Sequence, residues 1–271
     1  MNRTEATAER GEKSNTAQLL GRAGMACYGV VHLVLAYLAL QVAFGSSEQA
    51  DQKGALEQIG SSAFGQILLW IVAIGLVLFG LWQFLMAATG YDWVSGGKRT
   101  RKRLGAAARG VVVIVLGFTA FRLASGSGGG ASSGQKQQEF TGKLLSLPAG
   151  PVLVVIVAAA VLGVAIAAGV KGVKQKFLED LNTSELPGRS RRWVGWLGTT
   201  GYLAKAVVFT VVAILLAIAG FNADAHKAGG LDAALKTLAA QPFGTVLLTV
   251  VALGLAAFGA YSFAAAWAHK R

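Results

Sequence analysis

Residues 105–117 read GAAARGVVVIVLG, an apolar run with a single charge, Arg109. Two other stretches share its pattern: GMACYGVVHLVLA from Gly24 and GYLAKAVVFTVVA from Gly201. Aligning the opening glycines places Tyr28, Arg109 and Lys205 at one position, followed by Gly29, Gly110 and Ala206. The chain is therefore three copies of one unit, and each copy starts with a helix long enough to span a membrane. About 20 apolar residues cover the ~30 Å of hydrocarbon in a bilayer.

Moving outward, the partner helices recur too. Phe64-Gly65 opens a second apolar run in copy one and Phe243-Gly244 does so in copy three. Phe79-Gly80 and Phe258-Gly259 follow fifteen residues later in each. Ala149-Gly150 holds the opening place in copy two, which lacks the second Phe-Gly. Six spans result, at approximately 23–44, 65–89, 104–124, 149–170, 199–220 and 243–267. Pro148, Pro151 and Pro242 lie where spans four and six start, a place where a helix tolerates proline.

Composition agrees. Of 271 residues 54% are hydrophobic and 14% charged, with mean hydropathy +0.54. Soluble domains carry about 25% charged residues. The net charge of +12 is unevenly placed. Lys53, Arg122, Lys136, Lys143, Lys227 and Lys236 fall on one side of the expected membrane, and all other lysines and arginines fall on the opposite side. The positive-inside bias then puts both termini in the cytoplasm. Such a basic side attracts anionic lipid headgroups. Topology accounts for the surplus charge without nucleic acid, whose binding motifs are absent.

The expected domains are a polar amino-terminal segment, 1–21, read as disordered or interfacial, and repeats at 22–97, 98–197 and 198–271. Between its paired spans each repeat carries a short amphipathic stretch. Its faces are Leu56, Ile59 and Ala63, then Phe140, Leu144 and Leu147, then Leu231, Leu235 and Leu238. Each stretch is expected to lie in the membrane interface with its apolar stripe down. Ser125–Gly134 reads as a flexible linker. With two spans per copy, all copies share one orientation, which predicts an all-α bundle with pseudo-threefold symmetry. Small ridges, Ala252, Ala256, Ala260, Ala264 and Ala268 in span six and Ala159, Gly163 and Ala167 in span four, are expected to pack it.

Tyr28, Arg109 and Lys205 form the candidate site, about six residues in from the basic side. His32 lies one turn beyond Tyr28 on the same face. At ~8–9 Å depth a long basic side chain can snorkel to headgroups. Alternatively, Arg109 and Lys205 face inward and hold an anion or lipid phosphate, with Tyr28 donating a hydrogen bond. Cations near helix amino termini are opposed by the dipole, which favours such an anion. Cys27 reads as a packing residue. No carboxylate lies inside a span, and no nucleophile–base set, metal motif or cofactor signature occurs. The expectation is no enzyme and no cofactor.

The three glycine-led segments and the Phe-Gly-initiated second helices resemble the bacterial membrane family known as domain of unknown function 1206. The family's three two-span units cover nearly all of residues 20–268. Tyr28 and Lys205 depart from the arginine its motif carries. The resemblance implies no activity. The reading is a non-catalytic scaffold or lipid-interacting protein, open to a membrane-protein partner. The alternative is a small-solute transporter or channel with an anion site.

Overall fold

The computed structural model describes residues 3–45, 53, 56–57, 63–90, 95–126, 133–181 and 188–268. Its long helices are α1 (Arg3–Ala43), α2 (Ala63–Thr89), α3 (Gly97–Ala124), α5 (Gly150–Val173), α6 (Gly188–Phe221) and α8 (Gly244–Ala268). Two short helices, α4 (Ser133–Leu145) and α7 (Leu231–Ala239), precede α5 and α8, and 3-10 turns occupy Lys176–Asp180 and Ala225–Lys227. Among the described residues six segments are long and apolar enough to cross a membrane: Gly21–Ala43, Gln66–Thr89, Gly97–Ala124, Gly150–Val173, Ser190–Phe221 and Gly244–Ala268. These are the six expected from the sequence.

The helices extend beyond the apolar runs. Residues 3–21, expected without regular structure or in the interface, continue α1 as helix. Elongating an existing helix avoids the cost of a new nucleus, and Ala6, Ala8, Glu9, Gln18 and Leu19 are good helix formers. The basic run before Leu104 likewise belongs to α3, and the run from Gly188 to α6.

Contacts divide the chain into two compact units. One comprises Met1–Tyr28, Ile59–Gly128 and Ser262–Arg271, the other Gly29–Gln58 and Gly129–Tyr261. In the first unit α2 packs along α3. Trp70 meets Phe121 edge-on at 5.2 Å, and the Gln66 amide donates to the Ala124 carbonyl at 3.4 Å. Gly117 admits Val77, and Gly80 admits Ile114. At the far end Arg103 Nε donates to the Gly90 carbonyl. The first part of α1 lies on α2, with Cys27 seated against Gly75.

In the second unit α5 packs along α6. Thr199 donates from Oγ1 to the Gly172 carbonyl at 3.1 Å, and Gly220 admits Val155. The α5 face that is buried carries Val154, Ala158, Ala165 and Gly172. Ala159, Gly163 and Ala167, the expected packing ridge, are exposed. This span is small-sided on two faces, and α6 meets the one with the seven-residue spacing. Of the span-six ridge, Ala252 and Ala268 are buried and the alanines between them half-buried.

The junctions leading into α5 and α8 share one construction. Ala149 and Phe243 adopt left-handed φ of 61° and 60°. The next residue's N–H closes a turn, Gly150 to the Leu147 carbonyl and Gly244 to the Gln241 carbonyl. A Cβ on either glycine would strike the carbonyl of Leu145 or Ala239, so only glycine fits.

The amphipathic stretches differ from one another. In α7 Leu235 and Leu238 are buried within the protein, in place of the expected interfacial position. Phe140 of α4 and Leu147, just beyond its end, are exposed. In copy one Leu56 is buried, Ala63 begins α2, and Ile59 lies outside the described residues. Ser133 and Gly134, expected as linker, begin α4, whereas 127–132 lie outside the described residues.

Candidate functional site

The two Phe-Gly motifs build similar clusters, one in each unit. In the first, Gly24 of α1 faces the Phe79 backbone and Cβ so closely that any added methyl would clash. That approach brings Tyr28, one turn later on α1, to 6.0 Å from the Phe79 ring. Phe79 stacks on Trp82 at 5.8 Å, and Gly21 leaves room for the indole.

In the second unit a Cβ on Gly201 of α6 would lie 2.6 Å from the Phe258 Cβ of α8. One turn later on α6, Lys205 carries its ammonium 3.4 Å from the centre of the Phe258 ring. Lys205 thus has the same place on its Phe-Gly helix as Tyr28 on its own. His32 of α1, 3% exposed, meets the Phe258 ring at 4.8 Å. Tyr202 stands edge-on to Phe258 at 5.3 Å, with the Lys171 ammonium 5.1 Å from its own ring centre. Phe177, from the 3-10 turn, fills the space left by Gly198 and stacks on Tyr202 at 5.4 Å. Tyr261 completes the cluster.

His32 and Lys205 of the expected site are therefore gathered on one ring. Tyr28 sits on the matching ring of the other unit. Arg109 is exposed on α3, while its neighbour Gly110 is buried against Gly80 and Gln83. Copy two has Val164, itself exposed, where the other copies have the phenylalanine.

The dipole argument for an anion at this position does not hold. Because α3 begins at Gly97 and α6 at Gly188, Arg109 and Lys205 lie several turns inside their helices. The dipole's influence falls off within the first turn. What the geometry supplies for Lys205 is the negative face of a ring, an attraction of about 0.5–2 kcal/mol.

Sequence reasoning recognised the Phe-Gly motifs without joining them to the basic position. The signal was present: Gly24 and Gly201, Gly75 and Gly254, Phe79 and Phe258 recur at nearly constant offset, and Gly254 admits Ala204 as Gly75 admits Cys27. Lys171, Tyr202 and Phe177 had no such signal. Gln83, 1% exposed, was also missed, and neither its Oε1 nor its Nε2 has a hydrogen-bond partner among the described residues. Among the described residues no three His, Cys, Asp or Glu side chains gather as a metal site.

A family model described as Domain of Unknown Function (DUF1206) matches residues 23–90, 104–175 and 200–269. The chain is 29% identical over 243 residues to the "Uncharacterized protein YxxB" of Bacillus subtilis (strain 168), covering 89% of this chain and 87% of that protein. No solved structure matches.

Proposed function

The chain belongs to the family described as Domain of Unknown Function (DUF1206), and from that premise we propose that it is a non-catalytic scaffold of the bacterial inner membrane. In this reading both termini are cytoplasmic, the three repeats surround a pseudo-threefold axis, and the basic side rests on anionic lipid headgroups. Membrane-protein partners would dock on that assembly.

The observation that carries the reading is the paired construction at Gly24–Phe79 and Gly201–Phe258. Both helix contacts are too close for a single added methyl. Packing of this kind suits a permanent helix pair, since lipid offers no hydrophobic drive for association and contact must come from close backbone approach. Lys205 and Arg109 then serve as contacts to headgroups. Lys205 is held half-buried on its ring, and Arg109 is exposed at a depth from which it reaches the interface.

Native mass spectrometry of the detergent-purified protein tests this, with wild type beside Arg109→Ala and Lys205→Ala. Anionic lipid retained by wild type and reduced in both variants is the expected result. Equal retention by all three removes these residues from the reading.

The buried His32 beside a lysine-bearing ring favours one second reading, a small-solute transporter or channel with an anion site. A non-lipid anion carried by wild type and lost in Lys205→Ala would select it.

A further inference from the structure

We infer that α4 and the turn after it dock on lipid, their outward stripe of Lys136, Phe140, Lys143 and Leu147 seating on anionic phospholipid headgroups at the end of the unit opposite the Lys205 cluster. Steps of four and three residues place Lys136, Phe140 and Lys143 in one line on the helix, and Leu147 lies in the turn just after it. Phe140 is 59% and Leu147 50% exposed, and both lysines are exposed.

The opposite side of α4 is polar and faces the protein. Thr141 is 2% exposed. The Gln137 amide donates to the Gly229 carbonyl at 3.2 Å. The Gln138 amide donates to the carbonyls of His226 at 3.2 Å and Ala228 at 3.3 Å. A short helix against a water-facing surface would be turned the other way, as α7 of the same unit is, with Leu235 and Leu238 inward. The inversion belongs to α4 alone of these two, and it suits an apolar medium outside.

The bilayer is the occupant that fits. Leu147 runs directly into α5, whose Val152 and Ile156 are each 59% exposed, so the stripe continues the lipid-facing surface of a span. Phe221 at the end of α6 and Phe243 at the entry to α8 are exposed at the same end of the unit. Exposed rings of this kind suit the apolar side of an interfacial surface, at the boundary of headgroups and acyl chains. The lysines alternating with Phe140 and Leu147 suit phosphates at that depth, their ammonium groups lying at headgroup level while the ring and the leucine enter the acyl boundary. Glu139 is the one acidic group on α4, exposed beside the stripe.

The test compares Phe140→Trp with wild-type protein in vesicles of brominated phosphatidylcholine, with and without phosphatidylglycerol. The expected result is one additional blue-shifted tryptophan component quenched by the brominated chains. A red-shifted component quenched by aqueous acrylamide alone overturns the docking. The charge part is read from phosphatidylglycerol enrichment around the protein. Lys136→Gln and Lys143→Gln should each weaken it roughly fivefold, and unchanged enrichment in the double variant overturns that part. Gln138→Leu, which removes two of the inward hydrogen bonds and leaves the stripe intact, should retain the enrichment in the folded protein. Loss of enrichment in a folded Gln138→Leu protein overturns the assignment of the charge contact to the lysines of the stripe.

Discussion

The ammonium of Lys205 stands 3.4 Å from the centre of the Phe258 ring, and both residues are brought there by the close approach at Gly201. A cation this deep in a span needs a compensating contact. Here a ring on the neighbouring helix supplies one.

That contact should be measurable. Lys205→Met and Phe258→Leu, alone and together, form a cycle whose coupling is expected at about 0.5–2 kcal/mol, the range of a partly desolvated cation–π pair. Thermal unfolding in detergent reads it. Additive effects of the two substitutions would mean that the ring does not stabilise the charge.

Glycine positions should separate by their surroundings. Gly24→Ala and Gly201→Ala force a methyl into the phenylalanine of the next helix and should each cost about 1–3 kcal/mol, the usual range for overpacking. Gly163 has nothing within 4 Å of an added Cβ. Gly163→Ala should be neutral or gain up to about 1 kcal/mol from helix propensity. Equal losses at all three sites, measured by melting temperature, would contradict the packing described.

Gln83 gives a prediction of opposite sign. Its amide is buried with both polar atoms unpartnered, and replacing such a group by an apolar one of similar volume removes the cost of an unmade hydrogen bond, about 1–3 kcal/mol. Gln83→Leu should therefore raise thermal stability. A marked loss of stability instead would show that the amide has a partner in the membrane.

Orientation is open to a direct check. A green fluorescent reporter fused after Arg271 should fluoresce, and alkaline phosphatase fused after Asn222 should be active, as the distribution of lysine and arginine requires. The reverse pattern would invert the chain and with it the assignment of the basic side to the cytoplasm.

Much of the fold was legible because length and periodicity carry it. Twenty apolar residues must cross as helix, since no other open structure satisfies the backbone in lipid. Recurrence of Gly24 at Gly201 and of Phe79 at Phe258 marked the repeats. The helical state of residues 3–21 was less legible, because a polar segment shows no period and its helix is seeded by the span that follows. The packing face of span four was also illegible, because Ala159, Gly163 and Ala167 are as small as Ala158, Ala165 and Gly172.

The candidate site divides in the same way. The sequence alone determined that Tyr28, Arg109 and Lys205 share one register position at one depth, because spacing from a glycine along a helix sets both. Only the tertiary structure decided what each of them meets. Tyr28 and Lys205 lie over phenylalanines, His32 joins Lys205 on one ring, and Arg109 is exposed. Depth is a property of one helix, while a neighbour depends on which face a second helix covers. Small residues permit close approach on several faces, so that choice is made by the sum of contacts along the whole pair.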